Sequence, residues 1–459
     1  MAFSNIDNLD LGSLLQIVFT NEIYNQLSQD FRDLEHVKKA TVKSSLAREL
    51  RYMIQTGHGP AAVQYRNPGT SGRSFPTAWQ ASVAEKTAKF KEMNATIELE
   101  YNLWDRAQKS PEKYGEPLAL ETASKSLAAK RRIACDFYGD GTGVVGTIAS
   151  AAVTSPTSSN LTFTLSTSDT ARGHAGNFEL DDVLILKAAD NTTSALNTSL
   201  ATEPAYWQVV EKDRDNATVT LKGLDSNFDA VATISSVSTG PTAGDVFYRY
   251  DQPTRVDLSS TISDYALACE VIAGLESLVA NDGRVVHGIT MSGATAGSRQ
   301  SAGGNAIDVS YIHKAMDKAK LAVGQGAYSW KMMNMAPETL RALIESREAD
   351  RRFNAMTDNK RGTTAFYYQH LSDSLEAVTS EFCPQKRIYI LPEAKNGKKV
   401  IEFRGTEFET VKAPGGSDFH LKATSSGYVN SVQSFLRAIG VLIATHPAAV
   451  AVVHNFSNS

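Results

Sequence analysis

The sequence predicts an α+β chain of several units, with a β-rich domain inserted between helix-bearing parts. Three observations carry this. In residues 93–104, Met93, Ala95, Ile97, Leu99, Tyr101 and Leu103 alternate with Asn94, Thr96, Glu98, Glu100, Asn102 and Trp104. Helical spacing of apolar residues recurs at 117–137, 261–279 and 308–322. Between the first two of these helices, residues 150–258 lose that spacing and fill with Thr, Ser, Asn and Asp. A chain of 459 residues, 42% of them apolar, can bury a sizeable core and suits about two to four structural units.

Charge supports the division. Residues 1–140 hold 18 basic and 17 acidic side chains, a net +1, and residues 259–459 hold 21 and 19, a net +2. Residues 141–258 hold 7 and 14, a net −7. A shift of that size marks a separate domain. The whole chain is only −4, so no general basic bias argues for sequence-specific reading of nucleic acid. Cys135, Cys269 and Cys383 are too few and too far apart for a disulfide framework or a zinc site, and are expected as reduced, buried thiols. The opening MAFSNIDNLDLG has no basic stretch followed by an apolar run, so no secretory leader is expected. No run of 18 apolar residues predicts a membrane helix.

In chain order, residues 10–35 read as helical from Leu11, Leu14, Leu15, Val18, Ile23, Leu27, Phe31 and Leu34, with Asp10 as cap. The stretch 36–51 follows with Lys38, Lys39, Lys43, Arg48 and Arg51 against Glu49 alone. Such an arm suits a polyanion or an acidic partner, the plainer alternative being a solvated helix face. Residues 56–86 are punctuated by Gly57, Gly59, Pro60, Pro68, Gly69, Gly72 and Pro76, and read as an extended excursion. In the strand after it, Met93, Ala95, Ile97, Leu99, Tyr101 and Leu103 form one face. A long two-stranded excursion is marginal alone and needs something to rest on.

Residues 117–137 read as a helix starting at Pro117, with Leu120, Ala123, Leu127, Ala134 and Phe137 inward, stopped by the Gly139–Gly143 turn. Within 150–258, short alternating runs at 161–165, 183–186, 207–210, 217–221 and 246–250 suggest a small antiparallel barrel or sandwich. A stripe of Ile262, Tyr265, Cys269, Ile272, Leu275 and Val279 predicts the next helix. Asp308 caps another, with Ile312, Ala315, Met316, Ala319 and Ala322 inward, and Pro337 opens a third after a strand at 330–335. Strands are expected at 388–391, 400–403 and 408–411, and an apolar strand pair at 432–445 and 450–456 ends the chain.

This order resembles the major capsid proteins of tailed bacteriophages with the Hong Kong 97-type fold. The likeness sits in three places. Residues 136–148, DFYGDGTGVVGTI, look like that family's turn after its long spine helix. Residues 327–346, AYSWKMMNMAPETLRALIES, are similar to its strand-to-helix entry, although Met335 and Ala336 stand before Pro337 here. Residues 426–456 resemble its closing strands. The resemblance implies an N-terminal arm (1–55), an extended loop lying over a neighbour (56–104), a peripheral domain with the spine helix (105–149), an inserted β-barrel or sandwich (150–258), an axial domain (259–425) and a return to the peripheral domain (426–459).

The function implied is self-assembly of pentamers and hexamers into an icosahedral shell around phage DNA. No cofactor or membrane contact is expected. Scaffold, portal and decoration proteins are the further partners implied, with assembly in the host cytoplasm and residence in the virion. Candidate intersubunit contacts are Arg66, Arg73, Lys86, Arg341, Arg347, Arg351 and Arg352, and the candidates for facing DNA or scaffold are Lys38, Lys39, Lys43, Arg48 and Arg51. An encapsulin-type compartment shell is the alternative in the same fold. An enzyme acting on polysaccharide through the acidic block is a third class. Against it, the nine histidines are dispersed without an H-E-x-x-H pair and no G-x-S-x-G elbow occurs. Gly139–Gly143 lacks the Gly-Lys-Ser/Thr of a phosphate loop, and the acidic block has no twelve-residue calcium loop.

Overall fold

A computed structural model gives the architecture, describing residues 38–41, 49–57, 82–101, 128–129, 131–149, 160–168, 172–188, 205–225, 227–230, 242–250, 271–324, 328–346, 367–370, 373–394, 399–405, 409–410, 420–424 and 427–458. The expected helix at 10–35 and most of that at 117–137 lie outside these residues.

Among the described residues two strands come first, β1 (Lys38–Thr41) and β2 (Glu49–Gly57). The first replaces the helix face considered for this stretch. β2 pairs antiparallel with β3 (Ser82–Lys89), and after Phe90 the chain runs straight on as β4 (Lys91–Glu100). In β4, Glu92, Asn94, Thr96 and Glu98 are exposed while Met93 and Ala95 are half-buried, the face assignment that alternation predicts. Residues 131–138 form α1, whose Ala134, Cys135, Phe137 and Tyr138 are buried. It ends in the Gly-rich turn because Gly141 (φ +82°) and Gly143 (φ +76°) take the left-handed conformation that side chains resist.

The acidic block folds as a barrel. Its strands are β5 (Val144–Thr147), β6 (Asn160–Thr164), β7 (Val183–Lys187), β8 (Tyr206–Asp213), β9 (Thr218–Leu224) and β10 (Val246–Arg249). They lie in the order β5-β10-β7-β8-β9-β6, every pair antiparallel. The two end strands meet through an Ile148–Leu165 bridge, with Ala149 N donating to Thr164 O at 2.8 Å and Ser166 N to Thr147 O at 2.7 Å. Closure removes both sheet edges. The interior is filled by Phe163, Phe178, Trp207, Phe247, Leu184, Leu186, Val209, Val219 and Leu221. Phe163 meets Trp207 and Phe247 edge-on, at 5.3 Å each. The barrel takes its first strand from the residues directly after the Gly-rich turn, upstream of residue 150.

The second half begins with α2 (Leu275–Leu278), a hairpin of β11 (Val285–Val286) and β12 (Ile289–Thr290), and β13 (Ser298–Ser301). Then come α3 (Val309–Val323), β14 (Tyr328–Met335), α4 (Pro337–Ser346), β15 (Tyr367–His370), β16 (Asp373–Thr379) and β17 (Arg387–Ala394). The chain ends with β18 (Ile401–Gly405), β19 (Glu409–Thr410), β20 (His420–Thr424), β21 (Gly427–Ala444) and β22 (Ala451–His454). Of the 261–279 stripe, residues 261–270 lie outside the described residues. Within 271–279 the helix runs over Leu275–Leu278, just after Gly274, which passes the C-terminus of α1 so closely that a Cβ would stand 2.2 Å from Asp136 O. In α3, Asp308 accepts from Ser310 N, and Ile312, Ala315, Met316 and Ala319 are buried, but Ala322 is exposed.

Two six-stranded sheets organise these strands. One is β13-β22-β17-β14-β16-β15. Its strands send adjacent residues to opposite cores. Met333, Ile388, Ile390, Ala451 and Val453 meet α3 and α4, whereas Met332, Tyr389, Leu391 and Val452 meet α1 and α2. Burial on both faces explains why these strands read as unbroken apolar runs. In the other sheet, β21 is the long member: β18, β19, β20 and β4 all pair antiparallel along it, and β1 adds parallel to β18. β21 and β22, expected as a pair, belong to different sheets, because a turn at Pro447–Ala449 carries the chain from one to the other.

Candidate functional site

The β2–β3 hairpin is an arm with two unlike faces. Glu49, Arg51 and Met53 on β2, and Val83, Glu85 and Lys89 on β3, face solvent, with Met53 75% and Val83 57% exposed. Arg51 reaches Glu85 across the pair at 3.6 Å, an exposed contact of little energetic weight. The other face carries Leu50, Tyr52, Ala88 and the wholly buried Lys86, packed toward Val441 and Ile443 of β21.

A two-residue turn holds the arm on the body. His287 (φ +55°) and Gly288 (φ +79°) join β11 to β12, both in the left-handed region such hairpin turns require. His287 O accepts from Thr87 N at 3.1 Å, and its Nδ1 shares a 2.9 Å hydrogen bond with the Tyr52 hydroxyl. The Tyr52 and His287 rings meet edge-on at 6.1 Å. Burial, with Lys86 and Lys91 nearby, pulls the imidazole down to about 3, so it is neutral at neutral pH. Lys86 Nζ lies 3.9 Å from Met291 Sδ.

The barrel is locked to the body through the turn after β8. Arg214 Nε donates to Glu338 Oε1 at 2.8 Å, with both side chains largely buried, and its guanidinium also reaches the carbonyls of Glu381 and Cys383. Gln385 Nε2 returns a hydrogen bond to Arg214 O. Beside it, His174 Nδ1 accepts from Gly176 N at 3.1 Å, which leaves Nε2 to donate to Phe382 O at 2.9 Å. Burial, reinforced by Arg214, lowers this histidine to about 3. Lys386 Nζ donates to Thr167 Oγ1 at 3.0 Å, and Arg131 bridges Glu179 (3.1 Å) and Glu381 (3.4 Å).

Under the central sheet, buried Glu276 faces Arg387 at 2.7 Å, Arg299 at 3.1 Å and the Tyr389 hydroxyl at 2.8 Å. Burial alone would raise its carboxyl, but Arg387, Arg299 and Tyr389 together hold it below the usual carboxylate range. Burial and Glu276 push Tyr389 up.

Of the residues singled out in the sequence, Lys86 is not offered to a neighbour. It is 0% exposed because it lies on the inward face of the arm. Arg341 is exposed and pairs within the chain with Asp215 of the barrel at 2.8 Å. Arg51 is on the outer face of the arm. Lys38 and Lys39 are in β1, beside Glu402 and Phe403 of β18 in register. Lys43, Arg48, Arg66, Arg73, Arg347, Arg351 and Arg352 lie outside the described residues. Cys135 and Cys383 are buried free thiols. Among the described residues no three His, Cys, Asp or Glu side chains are grouped to hold a metal, and no helix is long and apolar enough to cross a membrane. Sequence reasoning missed Arg214, His174, His287 and Glu276. Only His287 carried a local signal, Val-Val-His-Gly-Ile-Thr being two β-prone pairs around a two-residue turn ending in Gly.

No protein-family model and no curated protein matches the chain. Among solved structures, the chain is similar to the capsid asymmetric unit of cyanophage A-1(L), at 8% identity over 93% of this chain and 92% of that one, with a TM-score of 0.45. It is similar to the capsid of a native GTA particle at 9% identity over 92% and 89%, TM-score 0.41. An encapsulin of Synechococcus elongatus is matched over 40% of this chain and 60% of that chain, at 12% identity and TM-score 0.25.

Proposed function

We propose that this chain is the major capsid protein of a tailed bacteriophage, a shell-building subunit of the Hong Kong 97-type fold with an inserted β-barrel. The observation that carries the reading is the arm. It is a two-stranded hairpin that no further strand joins among the described residues; Thr87 N to His287 O ties β3 to the body, and the outer face shows Met53 and Val83 to solvent. Open edges and exposed apolar side chains on a long strand pair are aggregation hazards unless a partner covers them. A shell supplies the partner in the form of the next copy. The 18-residue β21 supports the same reading. At about 3.3 Å per residue it spans roughly 60 Å, which suits a flat plate better than a rounded globule.

In this reading the outer face of the β2–β3 arm lies against a neighbour, while β4 stays in the chain's own sheet beside β21, and pentamers and hexamers close by repeating modest contacts under point-group symmetry. The basic stretch Lys38, Lys39, Lys43, Arg48 and Arg51 meets packaged double-stranded DNA or a scaffold by salt-sensitive, sequence-independent contact. Portal and decoration proteins complete the virion, and assembly takes place in the host cytoplasm. The test is deletion of residues 56–86. Electron micrographs should then show soluble subunits and no closed particles, and normal shells from the deletion would refute the proposal.

A further inference from the structure

An exposed aromatic face with neighbouring carboxylates and a lysine-flanked exposed leucine lie in different parts of the molecule. The first is on the barrel. Tyr206, Phe228 and Tyr250 form an aromatic trio: Tyr206 and Phe228 stack at 4.8 Å and 14°, and Tyr250 meets them edge-on at 4.9 and 5.1 Å. Phe228 and Tyr250 are 43% and 44% exposed. Phe228 has φ +65°, a strained conformation for a bulky side chain. The loop enforces it, because Asp225 Oδ1 accepts from Asn227 N and Asp229 N at 2.8 Å each, and Asp225 N donates to Asp229 O at 2.9 Å. Asp225 and Asp229 flank Phe228 in the same loop, and further along the barrel face Asp181 is held by Gln208 at 3.2 Å beside Lys222. Strain that fixes an aromatic ring in water, between two carboxylates, is the form of a binding anchor.

The second patch is the outer stripe of α3. Lys314, Lys318 and Leu321 follow one another at helical i, i+4, i+7 spacing, all exposed, and Leu321 at 80% is the most exposed large apolar side chain among the described residues. Lys314 Nζ already stands over the Tyr311 ring at 5.4 Å, and Lys318 Nζ reaches Arg299 O at 3.1 Å, so the lysines are held rather than trailing. Asp317 is the acid in the stripe.

We propose that the aromatic face of one copy's barrel receives the Lys314–Lys318–Leu321 face of α3 from a second copy. Leu321 packs on Phe228 and Tyr250, and the lysines meet the neighbouring carboxylates and the ring faces. Both patches are exposed in the single chain, so neither is satisfied by the other within it. Because the patches differ, the contact is head-to-tail, the kind that propagates around a ring. The inference rests on the shell-subunit reading and adds where two subunits touch.

The test is a cysteine pair, Asn227→Cys with Ala322→Cys, in full-length protein expressed for particle assembly. Both residues are exposed and flank the proposed contact, so Phe228 and Leu321 stay in place. After mild oxidation of particles, non-reducing gels should show a ladder of dimers and higher multimers that neither single variant gives. Intact particles without that ladder would overturn the contact while leaving the shell reading in place, and absence of any particles from the unsubstituted chain would overturn both. A charge exchange gives a second readout. Lys314→Glu should lower particle yield at least fivefold, and adding Asp229→Lys should restore it. Unchanged yield in the first variant, or no restoration in the second, counts against the contact.

Discussion

Glu276 is the residue on which the central packing turns. It lies between two arginines and a tyrosine hydroxyl, all buried. Glu276→Ala leaves Arg299 and Arg387 as uncompensated buried charges, and the expected loss is about 3–5 kcal/mol in denaturant unfolding. Loss of under 1 kcal/mol would show that water reaches the guanidinium groups. The two buried histidines make a different prediction. His174 and His287 both have folded values near 3, below the ordinary histidine value of 6.5. A depressed folded pKa contributes stability that is complete above about pH 6.5 and is lost progressively as pH falls from there toward 3. Unfolding midpoints measured from pH 7 to pH 4 should fall steadily, and His174→Gln should flatten the fall. An unchanged slope in that variant would remove His174 as a cause.

At the scale of elements, the dock of the barrel and the arm can be separated. Arg214 joins the barrel turn to Glu338 at the start of α4 and to the loop before β17. Arg214→Ala should cost about 3 kcal/mol and raise hydrogen exchange along the 380–387 loop while β6–β9 stay protected. Arg214→Lys should not rescue it, since an ammonium cannot span carboxylate and carbonyls together. Met53→Asp with Val83→Asp acts on the arm's outer face. Subunit stability should change by no more than about 0.5 kcal/mol, while particle yield collapses. A normal yield would mean that face is not covered in the shell.

Elements were far more legible in the sequence than their partners. Alternation identified the strand and its wet face as far as Glu100, because side-chain period depends only on local geometry; Tyr101, expected on the inner face, is exposed past the strand's end, and 102–104 lie outside the described residues. Alternation could not say that β4 pairs with β21 some 340 residues away, with Arg437 on Glu92 as one cross-strand tie. The same limit hid the separation of β21 from β22. Their apolar runs marked both as buried strands, but a run buried on two faces has no alternation from which to choose a neighbour. Arg214, in the turn Asp-Arg-Asp-Asn, looks like any solvated turn residue until the fold brings Glu338 to it.

Among the described residues, the body and the barrel each bury an apolar core, and the arm shows one apolar face to solvent. Two layers of core flank the central sheet, and the barrel is closed on itself, so neither needs another chain. The arm's outer face, with Met53 and Val83, is where another copy is expected to sit. Mass photometry of the purified full-length protein at neutral pH and moderate salt tests this most directly. Closed particles of many subunits, or pentamers and hexamers that convert to them, are predicted. A single monomeric species that persists as concentration rises would contradict it.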